Sequence, residues 1–238
     1  MQLSAFGISD IGCVRERNED AFLADESNGL FAVADGLGGL PGGAEASSLA
    51  IRTLAEKVRA DDIPGIAEME ELFEAVNAAV SIHGQEIDPI IGIGTTLTVV
   101  QMIQRSFLVG HVGDSAAFLL RDGELQKLTT DHTMEQQLIN AIGPVAPEDM
   151  PVEYPHTLTS CIGQEALTLE CQRHDAQSGD RILLCSDGLS KVLSSARIKR
   201  ILSKGDDGER ICEAFVETAR KSGGPDNITA VVILLQDN

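Results

Sequence analysis

A chain of 238 residues with 43% hydrophobic content is long enough to bury one sizeable core, and a single domain over residues 1–238 is expected. Its net charge of −19 opposes nonspecific binding to nucleic acid or to an anionic membrane. Five cysteines with no CxxC pair argue against a disulfide framework and against a cysteine zinc site.

Residues Gln2–Ile8 read as a first strand. Ala21–Ala24 and Leu30–Ala34 read as a hairpin with Asn28-Gly29 at its turn. A glycine-rich loop, Gly36–Gly43, precedes two helices, Ala44–Arg59 and Ala67–Gln85. Thr95–Met102, Phe107–Val112, Ala116–Arg121 and Leu125–Lys127 then read as a meander, with Asp122-Gly123 turning between its last two strands. His132–Ile142 reads as a helix, and Gly143–Pro155, with four prolines and no periodicity, as a surface loop. Further strands are expected at Leu167–Cys171, Arg181–Cys185 and Ile228–Leu235. Helices at Ser195–Leu202 and Glu209–Lys221 fall between the last two. Strands in hairpin order with helices inserted in blocks indicate an α+β fold with mainly antiparallel sheets. The longest apolar runs, Ile182–Cys185 and Thr229–Leu235, are too short to span a bilayer, and the first ten residues lack the pattern of a signal peptide. A soluble, cytoplasmic monomer is the expectation, with no nucleic acid or membrane as partner.

One chemical pattern recurs. FAVADG places Asp35 and Gly36 after an apolar run, FLVGHVGDS places Asp114 between Gly113 and Ser115, and RILLCSDG places Asp187 before Gly188. A fourth aspartate, Asp226, lies in GGPDN just before the last strand. Each one alone reads as an ordinary turn aspartate at a strand end. Their recurrence after such apolar runs favours convergence on one site. Two like charges about 5 Å apart repel by roughly 3 kcal/mol at an effective dielectric near 20, so a convergent cluster calls for cations. Oxygen ligands without cysteine or histidine select Mg²⁺ or Mn²⁺ over zinc. The charged run Arg15-Glu16-Arg17-Asn18-Glu19-Asp20 has two readings. It is either a solvated loop or a place where Arg15 grips a phosphate with its planar fork while Glu19 and Asp20 hold metal-bound water or orient the arginine.

These residues, in this order, resemble the bacterial 2C-type metal-dependent protein serine/threonine phosphatases. The matching segments are SDIGCVRERNEDAF (9–22), FAVADGLGG (31–39), GTTLTVV (94–100), the stretch 109–133, LLCSDGLS (183–190) and GGPDNITAVVI (223–233). The resemblance implies a four-layer α-β-β-α sandwich of two antiparallel sheets flanked by helices. It implies hydrolysis of phosphoserine and phosphothreonine in proteins by metal-activated water, with phosphorylated proteins and a cognate serine/threonine kinase as partners. Carried over by position, Asp35 bridges two Mn²⁺ or Mg²⁺ ions and Gly36 offers its carbonyl. Asp187 and Asp226 complete a metal site, and Glu19 acts through metal-bound water. Asp114, with Asp187, matches the place of a third ion, and Arg15 matches the phosphate-binding arginine.

Three departures from the pattern stand out. Leu37 replaces the histidine that animal members carry two residues after the bridging aspartate. Ala116 follows GDS where arginine is usual, which implies a changed substrate rim. The flap Gly143–Ser160 is short and proline-rich. Two other classes compete. An inactive phosphatase-like binding module should have lost a metal aspartate. An acidic calcium-binding domain leaves the ordered motifs unexplained, and the chain has no EF-hand loop.

Overall fold

The computed structural model describes residues 2–38, 41–58, 65–205 and 207–237. Its strands in chain order are β1 (Gln2–Asp10), β2 (Asp20–Asp25), β3 (Leu30–Asp35), β4 (Leu97–Ile103) and β5 (Ser106–Val112). They continue with β6 (Ala116–Arg121), β7 (Glu124–Lys127), β8 (Glu170–Asp175), β9 (Arg181–Cys185) and β10 (Ile228–Gln236). The helices are α1 (Gly43–Lys57), α2 (Ile66–Ile87), α3 (Met134–Ile142), α4 (Asp187–Ser190), α5 (Ser195–Leu202) and α6 (Gly208–Lys221). One sheet runs β1-β10-β9-β6-β7 and the other β2-β3-β4-β5-β8. Every pairing is antiparallel.

Three apolar layers separate the four structural ones. Between the sheets lie Phe31, Val33, Phe107, Val109, Leu184 and Val231. Under α1 and α2 lie Leu30, Ala32 and Ala34 of β3, with Ala46, Ala50 and Leu54 of α1 and Met69, Phe73 and Val76 of α2. Under α5 and α6 lie Ala230, Val232 and Leu234 of β10, with Ile198, Ile211 and Phe215. Strands β3 and β10 are thus buried on both faces, which is why each reads as a continuous apolar run. Their odd and even residues feed different layers. Helices α1, α2, α5 and α6 bury residues spaced three and four apart, as a single buried face requires. Each wholly buried phenylalanine, such as Phe31, Phe73, Phe107 or Phe215, contributes about 1.5–3 kcal/mol.

Four details differ from the expectation. The predicted meander is split, since β4 and β5 lie in one sheet and β6 and β7 in the other. The chain changes sheet through Gly113-Asp114-Ser115, and Gly113 adopts φ 109° to do so. The strand expected at Leu167–Cys171 is β8, Glu170–Asp175. Leu167 and Leu169 pack on the core before the strand begins. A short helix, α4, starts at Asp187, where only a turn was expected. The loop at 143–155 contains 3₁₀ turns at Pro147–Asp149 and Tyr154–His156. The predicted end of the first helix, Arg59, and Gly39 and Leu40 of the glycine loop lie outside the described residues. Among the described residues, no helix is long and apolar enough to cross a membrane.

Candidate active site

A cleft of about 280 Å³ gathers Arg15, Glu19, Asp35, Gly36, Asp114, Asp187 and Asp226; Asp20, also considered from the sequence, is not in its lining. Each is held by its own local reason. Asp35 closes β3. Its N–H donates to Thr96 Oγ1 at 2.9 Å, and its carbonyl accepts the Thr96 N–H at 2.8 Å and Thr95 Oγ1 at 2.9 Å. The Gly36 N–H donates to the Glu19 carbonyl at 3.1 Å, and Ser47 Oγ of α1 donates to the same oxygen at 2.6 Å. The end of β3, the Glu19 loop and the first turn of α1 are therefore one bonded unit.

Asn227 ties the arginine loop to the last strand. Its Oδ1 accepts the Glu19 N–H at 2.9 Å, and its Nδ2 donates to the carbonyls of Ile11 at 3.0 Å and Arg17 at 2.9 Å. Arg15 Nη2 meets Asp226 Oδ2 at 2.7 Å, while the arginine side chain stays 43% exposed. This places a guanidinium at the edge of the cleft with one face still open. The Asp226 hydrogen bond raises the Arg15 pKa above its ordinary value.

Asp20 is closer to the chemistry than its sequence signal indicates. It stands directly across from Asp35 in the β2–β3 register. Its Oδ2 accepts Ser186 Oγ at 2.8 Å and Thr229 Oγ1 at 2.6 Å. Its Oδ1 is buried with no hydrogen-bond partner among the described residues. Burial lifts the Asp20 pKa to about 6 against the pull of the two hydroxyls. Asp35 lies well above the ordinary carboxylate range, first by burial and then by the charges of Asp20, Asp187, Asp114 and Asp226. Asp114 is pushed to about 6 by burial and by Asp187.

An orphaned buried carboxylate oxygen and a cluster of aspartates that repel one another mark a place for divalent cations. The donors are oxygens, which suits Mg²⁺ or Mn²⁺. Glu19, Asp35, the Gly36 carbonyl, Asp187 and Asp226 are the residues that fit such ions.

Lys191, Thr96, Asn227 and His156 also line the cleft and were not singled out from the sequence. Lys191 had one available signal, its spacing of four from Asp187 on a helical turn. His111 and His132 serve the architecture. His111 bonds Thr98 Oγ1 at 2.8 Å, and His132 Nδ1 accepts the Gly113 N–H at 3.2 Å, bracing the turn that presents Asp114. Burial holds His111 neutral, with its pKa near 3. Leu37 lines the cleft. Ala116 is wholly buried under α5 and α6, so it presents no side chain at the rim, where a change was expected.

The raised carboxylates set a pH dependence. Asp20 and Asp114 release their protons near pH 6 when folded, and aspartate in an unfolded chain does so near 4. Through that window the folded state holds the extra protons. Their contribution to stability is full below about pH 4 and is lost as pH rises through about 6. Thermal melts of metal-free protein should therefore shift upward from pH 7 to pH 5. The gain in melting temperature from added Mn²⁺ should shrink over the same change, because cations compete with those protons. A Mn²⁺ gain that is equal at both pH values would contradict this assignment.

Two antiparallel sheets, helices on both outer faces and an oxygen-lined cleft edged by one arginine define a class, the four-layer α-β-β-α sandwich built around a cation-binding cleft. The chain belongs to the protein phosphatase 2C family, whose profile matches residues 14–230. It is 37% identical over 231 residues to the serine/threonine protein phosphatase PstP of Mycobacterium tuberculosis, with 94% of this chain and 43% of PstP covered. The chain thus spans less than half the length of that relative. It is 30% identical to the protein phosphatase PhpP of Streptococcus pneumoniae, covering 97% of this chain and 96% of PhpP. The crystal structure of the PstP catalytic domain, solved with two manganese ions, superposes with a TM-score of 0.86 at 36% identity, covering 99% of both chains.

Proposed function

We propose that this chain is a metal-dependent phosphoprotein phosphatase that hydrolyses phosphoserine and phosphothreonine, acting as a cytoplasmic monomer against the products of a serine/threonine kinase. The observation that carries the reading is the convergence of Glu19, Asp35, Asp187 and Asp226 on one cleft with Arg15 at its edge. Glu19, Asp35, Asp187, Asp226 and the Gly36 carbonyl hold Mn²⁺ or Mg²⁺. When bound, such ions lower the pKa of water and neutralise charge on a phosphoryl group.

The chain's own residues do the rest. Arg15 takes two phosphate oxygens with its fork, and Asp226 fixes the fork's direction. Hydrolysis puts a water oxygen on phosphorus and a proton on the departing serine or threonine oxygen. No side chain serves as nucleophile. Cys185 is wholly buried with its thiol pKa pushed up by burial. Ser186 is wholly buried and donates to Asp20. Leu37 offers no proton at its place in the cleft, and in this reading water protonates the leaving oxygen.

The test is steady-state release of phosphate from phosphoserine and phosphothreonine peptides by the wild-type chain and by Arg15→Ala. Both peptides should be turned over. Arg15→Ala should raise KM by about 10- to 150-fold, the equivalent of losing a charge-assisted pairing with phosphate worth roughly 1.5–3 kcal/mol. Unchanged kinetics would return Arg15 to the solvated-loop reading. A wild-type chain inert on both peptides with Mn²⁺ present would overturn the proposal.

A further inference from the structure

Lys191 occupies a position that the family resemblance reserves for a metal. Its Nζ lies 2.6 Å from Asp114 Oδ2, 2.9 Å from Asp187 Oδ2 and 3.0 Å from the Pro155 carbonyl oxygen. An ammonium has three protons to donate, and here three oxygens receive them. The set is two carboxylates and a carbonyl, the kind of oxygen shell a hard cation takes. The resemblance assigned Asp114 and Asp187 to a third ion, and the structure puts a protein cation between them.

The placement is built in by the sequence. Lys191 follows Asp187 by four residues, at the end of α4, so the pair meets along one helical turn. Asp114 arrives from the other side, on the turn where the chain changes sheet, with its side chain only 8% exposed. Pro155 brings the flap to the same ammonium. A metal that close to both carboxylates would need oxygens at about 2.0–2.6 Å. It would have to displace the ammonium from all three partners.

We infer that Lys191 is a tethered cation that stands in for the third metal ion, so that this chain binds ions at the Asp35 centre and none between Asp114 and Asp187. This inference rests on the proposed metal-dependent reading of the cleft and replaces the third ion that the family resemblance implied. Asp114 then acts as the partner of Lys191.

Two measurements decide it: metal analysis after equilibrium dialysis against Mn²⁺, and anomalous scattering from crystals grown in Mn²⁺. The wild-type chain should hold two ions, with anomalous density beside Asp35 and none between Asp114 and Asp187. Lys191→Asp should gain a third ion, and Lys191→Asp combined with Asp114→Ala should lose it again. Should Lys191→Asp not fold, Lys191→Ala carries the test. It should melt lower than wild type in chelator, because Asp114 and Asp187 lose their shared cation, and Mn²⁺ should close that gap. A third ion in the wild-type protein, with Lys191 swung away, would overturn the inference and leave the metal-dependent reading intact. A folded Lys191→Asp chain that still holds two ions would overturn it as well. No ion beside Asp35 in any variant would sink the metal-dependent reading and this inference together.

Discussion

Asp35→Asn should reduce phosphate release by roughly 10³-fold or more, and the metal-free variant should melt higher than the metal-free wild type. The two effects have one cause. Asp35 is the carboxylate that the others surround. Asp20 faces it across the β2–β3 pair, and Asp187, Asp114 and Asp226 all push its pKa upward. A neutral amide of the same shape removes that repulsion and also removes the proposed central cation ligand. Each kcal/mol relieved raises the melting temperature by about 2–4 °C in a domain of this size. Backbone damage cannot mimic the pair of results, because it would lower activity and stability together. The readouts are peptide hydrolysis with Mn²⁺ and thermal melts in chelator on the same preparations. An active Asp35→Asn enzyme would mean that the ligands are misassigned.

Gly36→Ala should damage the site through the main chain. A Cβ on Gly36 would press on the carbonyl of Gly43 and lie 2.7 Å from the carbonyl of Glu19. Both neighbours are backbone, and both belong to the unit that joins β3, the Glu19 loop and α1. Neither can swing aside as a side chain could. Relief requires α1 or the Glu19 loop to move, at a cost of about 1–3 kcal/mol, or a melting temperature lower by roughly 2–12 °C. Asp35 is the adjacent residue, and a ligand displaced by about 1 Å can cost 10²-fold in rate. We therefore expect lower stability and an activity loss of at least about 10²-fold. Melts and kcat at saturating Mn²⁺ check this. A Gly36→Ala chain with wild-type values for both would show that the close contact is not rigid.

Most of the fold was legible because the strands are buried on both faces. A run such as Leu30–Ala34 has no polar side to hide, so its apolar character announces a strand between two layers. What failed was long-range pairing. The link Gly113-Asp114-Ser115 is as short as a hairpin turn, and nothing local tells whether the next strand stays in its sheet. The slip at β8 has another cause. The strand is polar, ECQRHD, and lies at a sheet edge, while the apolar residues that drew attention, Leu167 and Leu169, precede it. In the site, the aspartates were readable because each follows an apolar run. Asp20 carries a weaker signal because its place beside Asp35 depends on cross-strand register, which the local sequence does not show. For Lys191 the sequence offers only its spacing of four from Asp187, and a lone lysine ordinarily belongs to solvent; the distances to Asp114 and Asp187 fix its place.

If the carboxylate cleft works by holding divalent cations, phosphate release from a phosphothreonine peptide by metal-free wild-type chain must depend on added Mn²⁺. Turnover should stay at the buffer rate in excess chelator and rise with Mn²⁺ to a plateau. Full turnover in excess chelator would contradict it.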